Sequence, residues 1–154
     1  MERLEAVQTM SRRTLIMVAA AVAALVVSTA PLAAHHSFAM YDMTVQKTMT
    51  GKLVRFVLGG NHSQFVLQLM NPDGKLAVDA AGKPVTWSIE TAAAVQLANR
   101  GITVESFKPG EIFTITFSPL RDGRNGGAQR EGGLIMCGSK LPEGGCTEKT
   151  GKKF

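Results

Sequence analysis

The stretch Val85-Thr86-Trp87-Ser88-Ile89-Glu90 alternates strictly between apolar and polar side chains. A period of two residues is the pattern of a β-strand with one buried face, so its apolar members are predicted to point into a core. Directly after this strand, Thr91 can cap a short helix over residues 92–100, which Gly101 would end. A strand followed by one short helix therefore forms the predicted centre of the fold.

Extended patterns flank this unit on both sides. Upstream, residues 45–58 and 62–70 mix β-branched and apolar residues with polar ones and are separated by the turn signal Gly59-Gly60-Asn61. Downstream, residues 112–117 alternate and residues 134–137 are apolar. Five strands with one short helix between the third and fourth match a mainly β fold, the small, partly open five-stranded barrel of the OB type. A small sandwich is the alternative fold.

Two segments lack a regular period. Residues 71–84 begin with a tight turn and are predicted to form an elongated hairpin tip. Residues 119–133 are predicted to be a loop because they are rich in glycine, which loses more conformational freedom on folding than any other residue.

The first 34 residues have the organisation of a bacterial export signal. A charged segment ending in Ser11-Arg12-Arg13 precedes an apolar run over residues 15–27 and a small-residue segment over 28–34. The apolar run is shorter than the roughly 20 residues that a membrane-spanning helix needs, and an uncleaved anchor is the alternative. The arginine pair also fits part of the twin-arginine signal, which leaves Sec and twin-arginine export both open. A periplasmic or secreted location is predicted.

Removal of this leader leaves about 120 residues, enough for one domain that needs no structural metal. We predict four segments: a cleaved signal peptide (1–34), an N-terminal arm (35–44), an OB-like barrel domain (45–148) and a basic tail (149–154). Within the arm, Phe38, Met40 and Tyr41 are the predicted anchors. No stable membrane insertion is expected after cleavage.

The charge of the chain is only mildly positive. The leader carries three arginines and two glutamates, so +4 of the formal +5 stays with the remainder, where the basic residues are scattered. An exported protein with scattered charge is not expected to bind nucleic acid. The expected partners are a metal ion, a small ligand or another protein of the cell envelope.

The two cysteines, Cys137 and Cys146, are predicted to form a disulfide across a turn-rich segment. An oxidising compartment permits this bond, and closing so short a loop contributes roughly 2–3 kcal/mol in the chain-entropy model. A structural staple is favoured over a redox centre because the chain has no Cys-x-x-Cys motif.

Several short motifs after the leader occur in a familiar order: Ala34-His35-His36-Ser37-Phe38-Ala39, Thr50-Gly51, the turn into His62, Trp87-Ser88-Ile89-Glu90, Phe107-Lys108-Pro109-Gly110 and Pro119-Leu120-Arg121-Asp122-Gly123. Together they resemble the DUF6152 family of small exported bacterial proteins. The chain departs from the family pattern at Gly60-Asn61-His62, where Asn-Pro-His is typical. The resemblance implies a compact exported β-domain and supplies no activity, since the family is uncharacterised.

Two of the three histidines, His35 and His36, lie at the predicted cleavage point. Cleavage after Ala34 frees His35, whose α-amine and ring nitrogen can chelate one metal ion, with His36 or His62 completing the site. Cleavage after Ala33 instead puts His36 third, and an amine, two amide nitrogens and a third-position imidazole form the square-planar set that Cu(II) or Ni(II) prefers. Both alternatives predict a copper site.

Met40 and Met43 follow the histidines and add soft thioether ligands of the kind that hold Cu(I). Packing is the alternative role, because methionine commonly fills gaps in cores. The corresponding alternative for the histidines is a mobile terminal pair, with His62 a polar residue at a strand start.

The other functional hypotheses are a metal-free module and an enzyme. The module, a ligand-binding or protein-interaction domain of the envelope, would use the barrel face near Trp87 and the loop over residues 121–133. The enzyme hypothesis is rejected, because the group Ser37, His36 and Asp42 lacks the strand-turn-helix elbow of a nucleophilic serine. Glu90 has no carboxylate partner at a fixed spacing and is interpreted as the ion-pair partner of an arginine.

Overall fold

The computed structural model describes residues 38–154, together with Thr14, Ile16 and Met17. Residues 38–154 belong to one compact unit. The predicted signal peptide, apart from those three residues, and the predicted ligands His35 and His36 lie outside the described residues. Among the residues that are described, no helix has the length and apolar character needed to cross a membrane.

The unit contains six strands, one α-helix and two 3-10 turns, and the strands supply most of its regular structure. In chain order the elements are a 3-10 turn at Phe38–Met40, β1 Lys47–Val57, β2 Ser63–Leu69, β3 Thr86–Thr91, α1 Ala94–Ala98, a second 3-10 turn at Val104–Ser106, β4 Ile112–Pro119, β5 Gly126–Met136 and β6 Lys152–Lys153.

Five of these strands close into a barrel. The sheet order is β3-β2-β1-β4-β5-β6, and β3 also pairs with β5, which joins the two sides of the sheet. The closing pair is parallel, with Ser88 opposite Gly126 and Glu90 opposite Ala128. All other strand pairs are antiparallel. The predicted mainly β, OB-like barrel with one short helix between the third and fourth strands is therefore confirmed, and the sandwich alternative is wrong.

The barrel is closed, whereas the sequence predicted a partly open one. The antiparallel pairs β1–β2, β2–β3 and β4–β5 join strands that are consecutive in the chain, whereas the antiparallel pair β1–β4 is a long-range contact. The parallel contact of β3 with β5 joins strands separated by β4 and the helix, and no local pattern reports it.

The core fills the inside of this barrel and is rich in phenylalanine. The rings of Phe65, Phe107 and Phe113 lie against one another with centroids 5.3–5.6 Å apart. Burying side chains of this size stabilises the folded state by about 1.5–3 kcal/mol each. The core cluster comprises Met49, Leu53, Phe65, Leu67, Ile89, Leu97, Ile102, Phe107, Phe113, Ile115, Phe117 and Leu134.

Strand β5 begins inside the segment predicted to be a loop. Residues 119–133 were expected to be irregular because of their glycines, yet β5 extends from Gly126 to Met136. A Cβ atom on Gly127 would lie 2.3 Å from the ring of Phe117 and 2.6 Å from the carbonyl oxygen of Ser118. Glycine is therefore required here for the close approach of β5 to β4, and it marks a tightly packed strand.

The helix is shorter than predicted. It spans Ala94–Ala98 instead of residues 92–100, and Ala93 occupies the N-cap position, with its N–H donating to Gln96 Oε1. Thr91 ends β3 and donates its hydroxyl to Gln129 instead of capping the helix. Gly101 ends the helical segment with φ at 73°, the left-handed conformation that glycine adopts without strain.

The carboxy-terminal segment packs onto the barrel. Lys152 and Lys153, placed by the sequence in a basic tail over 149–154, form β6 and pair with Met136 and Ile135. Phe154 then packs edge-on against Phe107, with ring centroids 5.1 Å apart. Beside this strand, Cys137 and Cys146 form a disulfide with Cα atoms 5.7 Å apart.

Candidate functional site

The described part of the arm, residues 38–44, lies along the end of β4 and the residues that follow it. Tyr41 and Leu120 form an antiparallel β-bridge. The Asp42 N–H donates to the Pro119 carbonyl oxygen at 2.8 Å, and the Arg121 N–H donates to the Met40 carbonyl oxygen at 2.9 Å. One backbone hydrogen bond on each side of Tyr41 thus fixes the path of the arm.

Two arginines add side-chain contacts to the arm. Arg121 Nε donates to the Ala39 carbonyl oxygen at 3.1 Å. Arg130 Nη2 donates to the Met43 carbonyl oxygen at 2.6 Å, and its Nε donates to Ser118 Oγ at 3.1 Å. A charged donor strengthens such hydrogen bonds. Arg130 therefore ties the arm to a fully buried serine of β4.

Tyr41 anchors the arm through its side chain. It is only 5 % exposed, and its hydroxyl hydrogen-bonds Glu90 of β3. Burial, followed by the hydrogen bond and the negative charge of Glu90, raises the pKa of the Tyr41 phenol well above its ordinary value. The phenol therefore stays protonated and donates to the carboxylate. Glu90, predicted to pair with an arginine, is the partner of this tyrosine.

The other two predicted anchors remain largely in solvent. Phe38 is 60 % exposed and Met40 is 46 % exposed, so the prediction that they hold the arm is wrong. Residues 38–40 form a 3-10 turn that precedes the first contact with the barrel, and Tyr41 is the arm residue that the barrel buries. Met43 is also exposed, at 43 %. The two thioethers predicted as soft ligands are therefore outside the core.

His62 lies at the barrel surface where β2 begins. The histidine is exposed, while the next residue, Ser63, is fully buried and donates its N–H to the Ala92 carbonyl oxygen at 3.0 Å. Residues 38–154, the part that includes His62, contain no group of three or more His, Cys, Asp and Glu residues that could hold a metal ion. Whether His35 and His36 approach His62 lies outside the described residues.

Trp87 belongs to the barrel interior, as its alternation with polar neighbours predicts. Its ring lies 5.4 Å from that of Phe117, and it packs against the core cluster. Its Nε1 is buried and, within the described residues, has no hydrogen-bond partner. Trp87 is thus partly buried, and the hypothesis of a metal-free module that uses the barrel face near it stays a prediction.

Tyr41 was predicted as an anchor, but the barrel residues that hold the arm were missed by sequence reasoning. Arg130 contacts Met43 across 87 residues of chain, and the predicted loop hid its position in β5. Nothing in the local pattern around Tyr41 or Glu90 indicates that they pair. The usable signals were Arg121 and Glu90, which lie in motifs shared with the family that the sequence resembles.

Comparison with known proteins gives a family for this chain. The model of the family of unknown function DUF6152 matches residues 21–129, more than half of the sequence. The chain belongs to the DUF6152 family. No curated protein matches it. Among solved structures, it is similar to Rim1, the mitochondrial single-stranded DNA-binding protein of S. cerevisiae, with a TM-score of 0.42 and 9 % identity over 61 % of this chain and 94 % of that chain.

Two motifs of this DUF6152 protein have a structural role that the fold explains. Trp87-Ser88-Ile89-Glu90 lies in β3, where Glu90 receives the hydrogen bond of Tyr41. Pro119-Leu120-Arg121-Asp122-Gly123 contains the three residues that pair with the arm. In this chain, both motifs therefore hold the segment that follows the histidines.

Proposed function

We propose that this DUF6152 protein is exported to the periplasm or the cell exterior and binds copper through His35 and His36, with His62 as a further ligand from the barrel. The observation that carries this proposal is the anchored arm. Backbone hydrogen bonds, Arg130 and the Tyr41 phenol hold residues 39–43 against the barrel. A metal bound just upstream of Phe38 would therefore sit at a defined place on the protein surface.

The set of metal ligands depends on which peptide bond of the leader is cleaved, the one after Ala33 or the one after Ala34. With cleavage after Ala34, the α-amine and imidazole of His35 chelate the metal, and a second imidazole from His36 or His62 completes the site. With cleavage after Ala33, the amine, two amide nitrogens and the His36 imidazole form a square-planar set. Copper outcompetes the other divalent first-row metals at either type of nitrogen site.

The exposure of Met40 and Met43 supports a ligand role for the thioethers. A methionine that fills a gap is buried among apolar side chains, whereas these two are 46 % and 43 % exposed on an arm whose backbone is fixed. Thioether sulfur is a soft ligand that suits Cu(I). The arm could thus hold copper in both oxidation states, with nitrogen ligands for one and sulfur for the other.

We propose a binding role and no catalysis. The carboxylate with the most suggestive position, Glu90, accepts a hydrogen bond from a tyrosine that stays protonated, and this contact holds the arm in place. Its chemistry is therefore accounted for by structure. The partner that follows from the proposal is the metal ion or an envelope protein that delivers or receives it.

The proposal is tested by Cu(II) titration of the exported protein, whose terminus is first determined by mass spectrometry. Calorimetry and visible spectroscopy should show one tight site. It should be lost in the His35→Ala, His62→Ala double variant when the exported chain starts at His35, and in His36→Ala when it starts at Ala34. Asn61→Ala, an exposed change beside His62, is the matched control and should bind as the wild type does. Because protons compete with the metal ion for imidazole nitrogen, affinity should fall in mild acid. Equal affinity in the wild type and in the variant that corresponds to the observed terminus would reject the copper site.

The thioether part is tested separately with Cu(I) and a competing chelator. Met40→Leu, Met43→Leu should weaken Cu(I) binding and leave Cu(II) binding unchanged. Met136→Leu, at the other end of β5, is the matched control. If the double variant keeps the wild-type affinity for Cu(I), the exposed methionines are not ligands.

A further inference from the structure

A cleft opens at the end of the barrel between the segment that follows α1, the end of β5 and β6. Its volume is about 450 Å³, within the range of small-molecule sites. It lies beside Met136 at the end of β5, whereas the arm is held near Gly127 at the start of that strand, where Pro119 pairs with Gly127. The principal lining residues are Arg100, Ile102, Ser106, Met136, Lys152 and Phe154.

The charged side of the cleft is basic. Arg100, Lys152 and Lys153 all line it. Lys153 Nζ is paired with Glu148 Oε1 at 2.5 Å, but the side chains of Arg100 and Lys152 form no ion pair with another described residue. When the chain ends at Phe154, its α-carboxylate offsets part of this charge, and the balance stays positive. The cleft therefore attracts an anion.

The opposite side of the cleft is apolar. Ile102 is 5 % exposed and belongs to the core cluster, and Met136 and Phe154 are half-buried and pack against that cluster. The Phe154 N–H donates to the Leu134 carbonyl oxygen at 3.0 Å, which fixes the phenylalanine in the wall. Lys152 Nζ lies over the Phe154 ring, 4.6 Å from its centroid, where basic and apolar sides meet.

We infer that this cleft binds a small amphipathic anion, an oxyanion joined to an apolar group. The Arg100 guanidinium presents a planar set of donors that matches a carboxylate or a phosphate, and Lys152 adds a second positive charge. The apolar part of the ligand would lie against Ile102, Met136 and Phe154, where it is removed from water. A purely polar anion would leave this wall unused, and a neutral hydrocarbon would leave the two cations unpaired. The inference does not depend on copper binding at the arm.

The test uses octanoate and octyl phosphate as probes, with acetate and octanol as the matched compounds that lack one half of the chemistry. The ¹⁵N-labelled protein, expressed from the full sequence, is titrated with each while backbone amide shifts are followed by NMR. Octanoate or octyl phosphate should shift the amides of Gly101, Ile102 and Lys152 saturably, and the tighter of the two identifies the oxyanion. Acetate and octanol should bind at least about tenfold more weakly.

Charge removal provides the second arm of the test. Arg100→Gln, Lys152→Gln should weaken octanoate binding at least about tenfold, while Arg55→Gln, an exposed change on β1, should leave it unchanged. Added salt should weaken octanoate binding and not octanol binding. The inference is overturned if octanol binds as tightly as octanoate, if the double variant binds as the wild type does, or if the shifts map away from the cleft.

Discussion

The hydroxyl of Tyr41 donates a hydrogen bond to the carboxylate of Glu90, and this contact joins the arm that precedes β1 to the third strand of the barrel. Tyr41 is the only tyrosine of the chain and Trp87 is its only tryptophan. Tyr41 absorbance therefore reports on the anchor of the arm, and Trp87 fluorescence reports on the packing of the barrel.

The Tyr41 phenol should resist ionisation in the folded protein. Burial and Glu90 raise its pKa, whereas the unfolded chain should show the ordinary value near ~10. Because the unfolded state releases its proton first, the stability contributed by Tyr41 is complete below pH ~10 and falls as pH rises further. Absorbance at 295 nm should therefore stay low through pH ~10 and rise at higher pH or with unfolding. Glu90→Gln should lower the pKa, and a wild-type titration near pH 10 without unfolding would contradict the buried contact.

Loss of Arg130 should loosen the arm. Arg130→Gln removes the hydrogen bonds to the Met43 carbonyl oxygen and to the fully buried Ser118 hydroxyl, so we expect a loss of about 1–3 kcal/mol in the free energy of unfolding. This free energy is measured by following Trp87 fluorescence during unfolding in denaturant. Hydrogen exchange at the Asp42 amide should also accelerate.

The control for this change is Arg124→Gln. Arg124 pairs with Asp122 in an exposed ion pair that solvent screens, so its loss should leave stability and the Asp42 amide almost unchanged. If both variants behave alike, Arg130 has no special role in holding the arm.

Gly127→Ala should be strongly destabilising. The new Cβ would lie 2.3 Å from the Phe117 ring and 2.6 Å from the Ser118 carbonyl oxygen, so β4 would have to move away from β5. We expect a cost of about 3 kcal/mol, the upper part of the usual range for overpacking. Gly60→Ala is the matched control, because a Cβ there meets no atom within 4 Å and φ is not positive. Its effect should stay below about 1 kcal/mol. The melting temperatures of the two variants are compared. If they agree within error, the close packing of β5 is refuted.

The disulfide should contribute moderately to stability. Cys137 and Cys146 are separated by nine positions, and a loop this short is worth roughly 2–3 kcal/mol in the chain-entropy model. Cys137→Ser, Cys146→Ser should lower the denaturant midpoint by the corresponding amount and keep the far-ultraviolet spectrum. Reduction of the wild type with dithiothreitol should reproduce the shift. If neither the double substitution nor reduction changes the denaturant midpoint, the disulfide does not stabilise the fold.

Prediction from sequence succeeded where the signal was local. The alternation that defines β3 and β4 depends only on which side chains face the core, and the turn signals between strands are equally local. Prediction of β5 failed because glycine has two opposite meanings. It marks a loop when it is free, and it marks a close approach when a neighbouring strand occupies the space of its side chain, as at Gly127.

The candidate site also has one part that the sequence predicts and one part that it does not. The histidines beside the cleavage point and the thioethers that follow them are visible in the sequence, because metal-ligand chemistry belongs to residue types. The choice of Tyr41 over Phe38 and Met40 as the anchor is not visible, since all three are large apolar-rich side chains and only one of them meets the barrel.

By itself, the sequence determined the alternating strands, the place of the helix and the identity of the candidate ligands, because periodicity, turn residues and side-chain chemistry act over a few positions. The tertiary structure alone decided the parallel closure of β3 on β5, the contacts of Arg130 and Glu90 with the arm, and the basic cleft beside β6. Each of these joins residues that are distant in the chain, and such contacts exist only once the barrel has closed.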